Sequence, residues 1–112
     1  MKFVYKICNL SEWSSLKKNK LFCGTKKDLI DGFIHLSNKK QVKKTLKKHF
    51  LNQDKLILLK IETTKLKKLV WEKSPDGALF PHLYSYLNIR YVKKNYKILF
   101  KKNGSHSLPL SF

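Results

Sequence analysis

Two segments of this sequence carry the same combination of an aromatic ring, an imidazole and a hydroxyl group. In an extended chain alternate side chains point to the same face, so each segment gathers its three groups on one side. These groups are Phe33, His35 and Ser37 in the first segment, and Phe80, His82 and Tyr84 in the second. A ring can stack on a planar ligand, and imidazoles and hydroxyls can donate or accept hydrogen bonds near neutral pH. The pattern predicts a site for a nucleotide, a sugar or another polar planar ligand. The alternative is that both histidines are interior residues bonded to backbone carbonyls.

A third histidine, His49, is expected on the same site. A step of 100° per residue places Val42, Leu46 and Phe50 on one stripe of a helix, with Thr45 and His49 beside it. The lysines of this helix fall on the opposite arc. His49 is therefore predicted on the inward or boundary face of the helix, away from the lysines.

The spacing of the metal-binding residue types does not predict a metal site. Zinc accepts three imidazoles, but 14 residues separate His35 from His49 and 33 separate His49 from His82. Neither interval is a short chelating step, and Cys8 and Cys23 form no CxxC pair. Both cysteines are expected to be packing residues.

Glu72 is the acid that we single out, because carboxylates are scarce in this chain. It follows Trp71 at the predicted end of a strand, where catalytic groups are commonly displayed. The alternative is a surface ion pair with a lysine, which would contribute about 0–1 kcal/mol. Trp71 itself is expected in the core.

The strongly positive net charge of the chain is compatible with anionic partners but does not identify one. Lys and Arg number 25 and Asp and Glu number 7, which gives a net charge of +18. Arg90 is the only arginine, and lysine lacks the planar fork with which arginine grips phosphate, so sequence-specific recognition of nucleic acid is disfavoured. The lysines predicted on one arc of the third helix are Lys40, Lys43, Lys44, Lys47 and Lys48. They form either a solvated face or a nonspecific contact with RNA or another polyanion.

The apolar pattern predicts more strands than helices. Phe3–Cys8 is expected to be an opening strand. Lys55–Glu62 is nearly continuous in apolar residues, as expected for a central strand that is covered on both faces. Further strands are predicted at Phe33–Ser37, Leu69–Glu72, Leu79–Tyr84, Arg90–Val92 and Tyr96–Phe100. The fold class is therefore expected to be α+β.

Capping residues predict two to three short helices. The expected N-caps are Ser11, Thr25 and Asn38. Asp28 and Gln41 stand three residues after the second and third caps and complete capping boxes. Gly32 is expected to stop the second helix, and the first helix is expected to end near Asn19.

The length and the composition predict one domain, residues 1–112. A chain of this size can bury a core without disulfides or metals. The first residues contain no apolar run long enough for a signal peptide or a membrane span. We therefore expect a reduced, cytoplasmic protein with no membrane association, and the sequence leaves its oligomeric state open.

Two stretches, Gly-Phe-Ile-His-Leu-Ser at 32–37 and Leu-Phe-Pro-His-Leu-Tyr at 79–84, resemble the hallmarks of the bacterial domain-of-unknown-function family 952. Shorter matching segments extend the resemblance over nearly the whole chain. The chain differs from the family pattern at Ser85-Tyr86, where Gly-Pro is typical, and at Asn38, where Thr is common. The first difference affects the following loop, and the second keeps a capping residue.

The family is similar in fold to the ADP-ribosyltransferase-like proteins. The resemblance implies an α+β domain with a cleft between two small, mostly antiparallel sheets, a fold whose enzymes bind NAD. It further implies that His35 orients a ribose, that Tyr84 stacks on nicotinamide and that Glu72 steadies an oxocarbenium-like transition state.

Two functions are therefore carried forward. In the first, a cleft binds NAD, ADP-ribose or a related nucleotide, with Glu72 and His35 acting at the glycosidic bond. The residues expected to bind this ligand are His35, Ser37, His49, Phe80, His82 and Tyr84. In the second, the protein is a noncatalytic module whose lysine face contacts RNA or another polyanion.

Overall fold

The computed structural model describes residues 2–112, which form short helices packed against several antiparallel sheets. The strands are β1 (Phe3–Asn9), β2 (Leu21–Phe22), β3 (Ile34–His35), β4 (Leu56–Glu62), β5 (Leu69–Lys73), β6 (Leu79–Leu83), β7 (Leu87–Asn88), β8 (Val92–Lys97), β9 (Leu99–Phe100) and β10 (His106–Ser107). The helices are α1 (Leu10–Asn19), α2 (Lys26–Asp31) and α3 (Val42–His49), with 3-10 turns at Lys39–Gln41 and Ile89–Tyr91. The expected α+β class is confirmed.

A three-stranded antiparallel sheet in the order β1-β4-β8 forms the centre of the fold. β4 lies between the other two strands, and its residues Leu58, Leu59 and Ile61 are buried. The prediction of a central strand in this segment is confirmed.

Alternation along β1 divides the core into two layers. Val4 and Cys8 pack in a layer that includes α1, whereas Tyr5 and Ile7 pack in a layer that includes Leu46 of α3. Period-two geometry explains this division, because neighbouring residues of a strand point to opposite faces.

A second antiparallel sheet, in the order β3-β6-β5, carries the two segments that contain the chemical triples. His35 pairs with His82, and Glu72 pairs with Phe80. Directly paired side chains lie on the same face of a sheet. The register therefore brings these residues to one face.

The backbone at Ser37 joins the two sheets. The amide of Tyr5 donates to the carbonyl of Ser37 over 2.8 Å, and the amide of Ser37 donates back over 2.9 Å. β3 is consequently shorter than the expected strand at 33–37, because the chain leaves β6 and pairs with β1. Ile34 and Leu36 are both buried, as the alternation predicts.

The helix caps follow the sequence signals at two of the three positions. Both expected capping boxes, at Thr25 and at Asn38, are present, and Gly32 ends α2 in a left-handed conformation with φ of 87°. The cap of α1 is Asn9 and not Ser11, because Asn9 exchanges hydrogen bonds with Glu12 over 2.7 and 2.8 Å. Both residue types suit an N-cap, and the end of β1 at Asn9 selects the earlier one.

Three further expectations are wrong in detail. Trp71 is 37% exposed, because it lies on β5, an edge strand of the second sheet. Cys23 is exposed, whereas Cys8 is buried as expected. The segment at 89–91 is a 3-10 turn, and the strand that was expected there begins at Val92.

None of the helices within residues 2–112 is long and apolar enough to cross a membrane.

Candidate functional site

A cavity of about 580 Å³ lies between β1, α2, α3 and the second sheet. β3 and β6 contribute His35 and His82 to its lining. Five lysines also line it: Lys6 on β1, Lys26 and Lys27 on α2, and Lys44 and Lys48 on α3, beside His49. The size is typical of a pocket for a small molecule or a cofactor.

Most of the residues expected to bind a ligand line this cavity. They are His35, Ser37, His49, Phe80 and His82. Tyr84 and Glu72 do not line it. Tyr84 follows the end of β6 and lines a neighbouring depression of about 240 Å³, and Glu72 lies on the edge strand β5.

His35 is held by two carboxylates on α2. Its Nδ1 lies 2.7 Å from Oδ1 of Asp28, and its Nε2 lies 2.9 Å from Oδ2 of Asp31. The partners of the His35 ring are therefore carboxylates and not the backbone carbonyls that the structural alternative expects. A ligand could reach Nε2 only by displacing Asp31.

Asp28 forms the buried centre of this arrangement, whereas its sequence context predicts only a capping residue. It is 2% exposed, its Oδ2 lies 2.8 Å from Nζ of Lys6, and it also accepts from the backbone of Thr25 over 2.9 Å. A Cβ at Gly24, where φ is 124°, would lie 2.7 Å from Cβ of Asp28. Glycine is therefore required at that position.

The ion pair shifts the pKa of each partner. Burial alone would raise the pKa of Asp28, but the hydrogen bond from His35 and the charge of Lys6 outweigh it and hold the pKa well below its usual range. Burial lowers the pKa of the Lys6 ammonium, and Asp28 opposes this change. The cluster therefore depends on an ionised Asp28.

A signal for the Asp28–Lys6 pair was present in the sequence. Lys6 alternates with Val4 and Cys8 on β1, so period-two geometry places it on a buried face. A buried lysine requires a partner. That partner, 22 residues away, is supplied by the packing of α2 against β1.

A second cluster centres on Glu72. Its Oε1 accepts from the Nδ1 of His82 over 2.7 Å and from the hydroxyl of Tyr84 over 2.6 Å. Both hydrogen bonds lower the pKa of Glu72, and the one from Tyr84 has the larger effect. The hydrogen bond to Glu72 in turn raises the pKa of Tyr84. Among the described residues, the partners of Glu72 are thus a histidine and a tyrosine and not a lysine.

Phe33 packs between the two clusters. Its ring is stacked on His82 with centroids 4.0 Å apart, and its centroid lies 4.5 Å from that of His35 and 5.3 Å from that of Tyr84. The two imidazole centroids are 5.7 Å apart. Phe33, the aromatic residue of the first triple, therefore packs against the imidazole rings of both His35 and His82.

His49 and Ser37 occupy different environments in the cavity. The hydroxyl of Ser37 is buried and lies 3.2 Å from that of Thr45. His49 is exposed, and its pKa is lowered by partial burial and by the charges of Lys27 and Lys48. The expectation that His49 lies away from lysines is wrong, because the charges of Lys27 on α2 and of its neighbour Lys48 on α3 both act on its ring.

No group of three or more His, Cys, Asp or Glu side chains in the described part of the chain is arranged to hold a metal ion.

These features define a small α+β protein with a histidine-containing cavity that is bordered by lysines. The family model described as "Protein of unknown function (DUF952)" matches residues 7–95. The chain belongs to this family.

Solved structures show the same fold in a relative from Caulobacter crescentus. In the crystal structure of its protein CC0527, the sequence is 39% identical to this one. The match covers 94% of this chain and 93% of that chain, with a TM-score of 0.89. A double mutant of CC0527 gives 38% identity over the same shares and the same TM-score. The solution structure of CC0527 is 40% identical over 93% of this chain and 90% of that chain, with a TM-score of 0.81. A search of curated proteins finds no match.

Proposed function

We propose that the cavity binds a phosphorylated nucleotide-type ligand, for which NAD and ADP-ribose are the first candidates. The observation that carries this proposal is the set of lysines on the cavity lining, together with His35 and His82 on the same lining. Apart from Lys6, which is paired with Asp28, these lysines are Lys26, Lys27, Lys44 and Lys48. Ammonium groups attract phosphate, and the lysines of the lining outnumber its three carboxylates, Glu12, Asp28 and Asp76, so the cleft concentrates anionic ligands.

Nearby carboxylates only partly neutralise the lysines. Lys27 lies 3.4 Å from Asp31, and Lys44 lies 3.7 Å from Asp76. Lys26 and Lys48 form no ion pair with any other described residue. This surplus of positive charge favours an anionic ligand over a neutral sugar.

The remaining lining suits the uncharged parts of a nucleotide. Phe80 offers a ring for stacking, and His82 and Thr45 offer hydrogen-bonding groups. An ADP-ribosyltransferase-like fold and action at the glycosidic bond belong to the same proposal, with His35 and Glu72 as the candidate catalytic residues. The ring nitrogens of His35 and Oε1 of Glu72 already have protein partners, so the geometry supports binding more directly than transfer.

The proposal is tested by thermal unfolding in the presence of ADP-ribose, NAD, AMP and uncharged adenosine. A ligand at a hundredfold its Kd should stabilise the protein by about 2.7 kcal/mol. We expect the three phosphorylated compounds to raise Tm and adenosine to leave it nearly unchanged.

Helix α3 supplies a matched pair of variants for this test. Lys44 and Lys48 line the cavity, whereas Lys43 and Lys47, with the same spacing on the same helix, do not. Replacing Lys44 and Lys48 with glutamine should weaken ADP-ribose binding at least tenfold, and the same replacement of Lys43 and Lys47 should change it less than twofold. Equal effects of the two pairs, or no binding by the parent protein, would contradict the proposal.

A second candidate function is nonspecific contact with RNA or another polyanion. All the lysines assigned to this face are exposed: Lys40, Lys43, Lys44, Lys47 and Lys48. Polyanion binding through this face would make the two pairs of lysines on α3 equivalent. The same variants therefore distinguish the two functions.

A further inference from the structure

The three histidines of the cavity differ in what their ring nitrogens contact. Both nitrogens of His35 face carboxylates. The exposed ring of His49 has no hydrogen-bond partner within residues 2–112. His82 alone among them combines a carboxylate on one nitrogen, Nδ1, with a second nitrogen, Nε2, that forms no hydrogen bond to a described residue.

The contact with Glu72 determines which nitrogen of neutral His82 carries the proton. An ionised carboxylate only accepts hydrogen bonds, so at 2.7 Å the Nδ1 of His82 must be the donor. The lone pair of the neutral ring then lies on Nε2. Within the described chain no buried side-chain nitrogen or oxygen lacks a partner, and Nε2 is therefore accessible to solvent.

The surroundings hold this ring in a fixed orientation. Phe33 stacks on it with centroids 4.0 Å apart, and β6 pairs with a strand on either side. His82 is 15% exposed and lines the cavity. A base must be oriented in this way if it is to act on a bound group.

We propose that His82 is the proton acceptor of the cavity and that Glu72 is its positioning residue. A hydroxyl group of the bound ligand, or a water molecule beside it, gives its proton to Nε2. The O–H bond breaks, the oxygen keeps the electron pair, and an N–H bond forms on the ring. The Glu72 carboxylate stabilises the resulting imidazolium, as the buried carboxylate does in a Ser-His-Asp triad.

This assignment changes the role of Glu72 from the one that the family resemblance implies. Glu72 lies outside the cavity lining and contacts His82 and Tyr84. It therefore acts through His82 and does not face the ligand. The inference rests on the proposed function only for the ligand that occupies the cavity.

The first test is nitrogen NMR of the imidazole rings at neutral pH, on the free protein. His82 should give the signals of a ring protonated on Nδ1. His106 is an internal control of the opposite kind, because its Nε2 lies 2.6 Å from the carbonyl of Gln53 and must donate to it. Finding His82 protonated on Nε2 would overturn the proposal.

Variants of the second cluster separate positioning from general stability. Glu72→Ala should abolish the preference for Nδ1–H, whereas Glu72→Gln should retain part of it because the amide oxygen still accepts. Tyr84→Phe removes the other hydrogen bond to Glu72 and should leave the signals of His82 nearly unchanged. If the chemical shifts of the other residues remain as dispersed as in the parent protein, the variant is folded. If His82 stays protonated on Nδ1 in Glu72→Ala, Glu72 is not its positioning residue.

The second test adds ADP-ribose as the probe. The Nε2 signal of His82 should shift on binding, and that of His106 should not. Binding without a shift of Nε2 would overturn this inference and leave the proposed function intact. If ADP-ribose does not bind, the proposed function fails, and the inference fails with it.

Discussion

Asp28 connects helix α2, strand β1 and His35 through one buried carboxylate. Its two oxygens contact Lys6, the ring and the backbone amide of His35, and the amide of Thr25. Each contact satisfies a polar group that would otherwise be costly to bury. The orientation of His35 in the cavity therefore depends on a residue whose side chain is almost inaccessible to solvent.

Replacing Asp28 with asparagine should destabilise the protein by about 3–5 kcal/mol at pH 7, because Lys6 would remain buried without a counter-charge. Urea unfolding measures this change. The matched control is Asp54→Asn, since Asp54 is exposed and, within residues 2–112, its carboxylate bonds only the backbone amide of Lys55. It should change the free energy of unfolding by less than about 0.5 kcal/mol.

The difference in stability between the parent protein and Asp28→Asn should depend on pH, and the sign of this dependence follows from the pKa of Asp28. The pKa of Asp28 is lower in the folded protein than in the unfolded chain, so its contribution to stability is present above the unfolded pKa and is lost as pH falls towards the folded one. The parent protein should therefore lose its advantage over Asp28→Asn as pH falls below about 4. An advantage that is constant between pH 7 and pH 3 would show that the charge of Asp28 is not its source.

At the scale of elements, short strands and caps decide which side chains meet. β3 has only two residues, yet its register against β6 places His35 opposite His82. Glu72 on β5 is paired with Phe80 on β6. It therefore lies diagonally from His82, which is two residues further along β6, and a long side chain can span that distance. A shift of one residue in this register would send Glu72 to the other face.

The cap of α1 gives a prediction at this scale. Asn9→Ala should destabilise the protein by about 1 kcal/mol, because it removes the acceptor for the amide of Glu12. Ser11→Ala should have little effect, since Ser11 is inside the helix and does not cap it. Urea unfolding of the two variants checks the assignment, and a larger loss for Ser11→Ala would contradict it.

At the scale of the whole molecule, the net charge of +18 makes some affinity for polyanions unavoidable at low salt. Neutralising each phosphate of duplex DNA releases counterions and contributes about −0.9 to the slope of log affinity against log salt. Nonspecific contact is thus separable from cavity binding by its response to salt.

Charge reversal of the lysine face tests this contact directly. Replacing Lys43, Lys44, Lys47 and Lys48 with glutamate changes the net charge from +18 to +10. Duplex DNA binding, measured by fluorescence anisotropy over a range of salt concentrations, should weaken and show a shallower slope. An unchanged slope would mean that this face does not contact the nucleic acid.

Features that depend on residues a few positions apart follow from the amino-acid sequence alone. The capping boxes at Thr25 and Asn38 follow from side chains that bond amides three residues away. Period-two alternation likewise predicted that the triples at 33–37 and 80–84 would each present their chemistry on one face, and an apolar run predicted the buried strand β4.

Which of these groups become partners depends on the packing of elements that are distant in the chain. The Asp28–Lys6 pair and the contact of Glu72 with His82 join different elements of the fold. Each depends on strand register or on how a helix packs against a sheet. Such contacts are set by the burial of the whole core, and no local pattern specifies them. For that reason the sequence indicated five of the residues that line the cavity, His35, Ser37, His49, Phe80 and His82, but neither Asp28 as the partner of His35 nor Glu72 as the partner of His82.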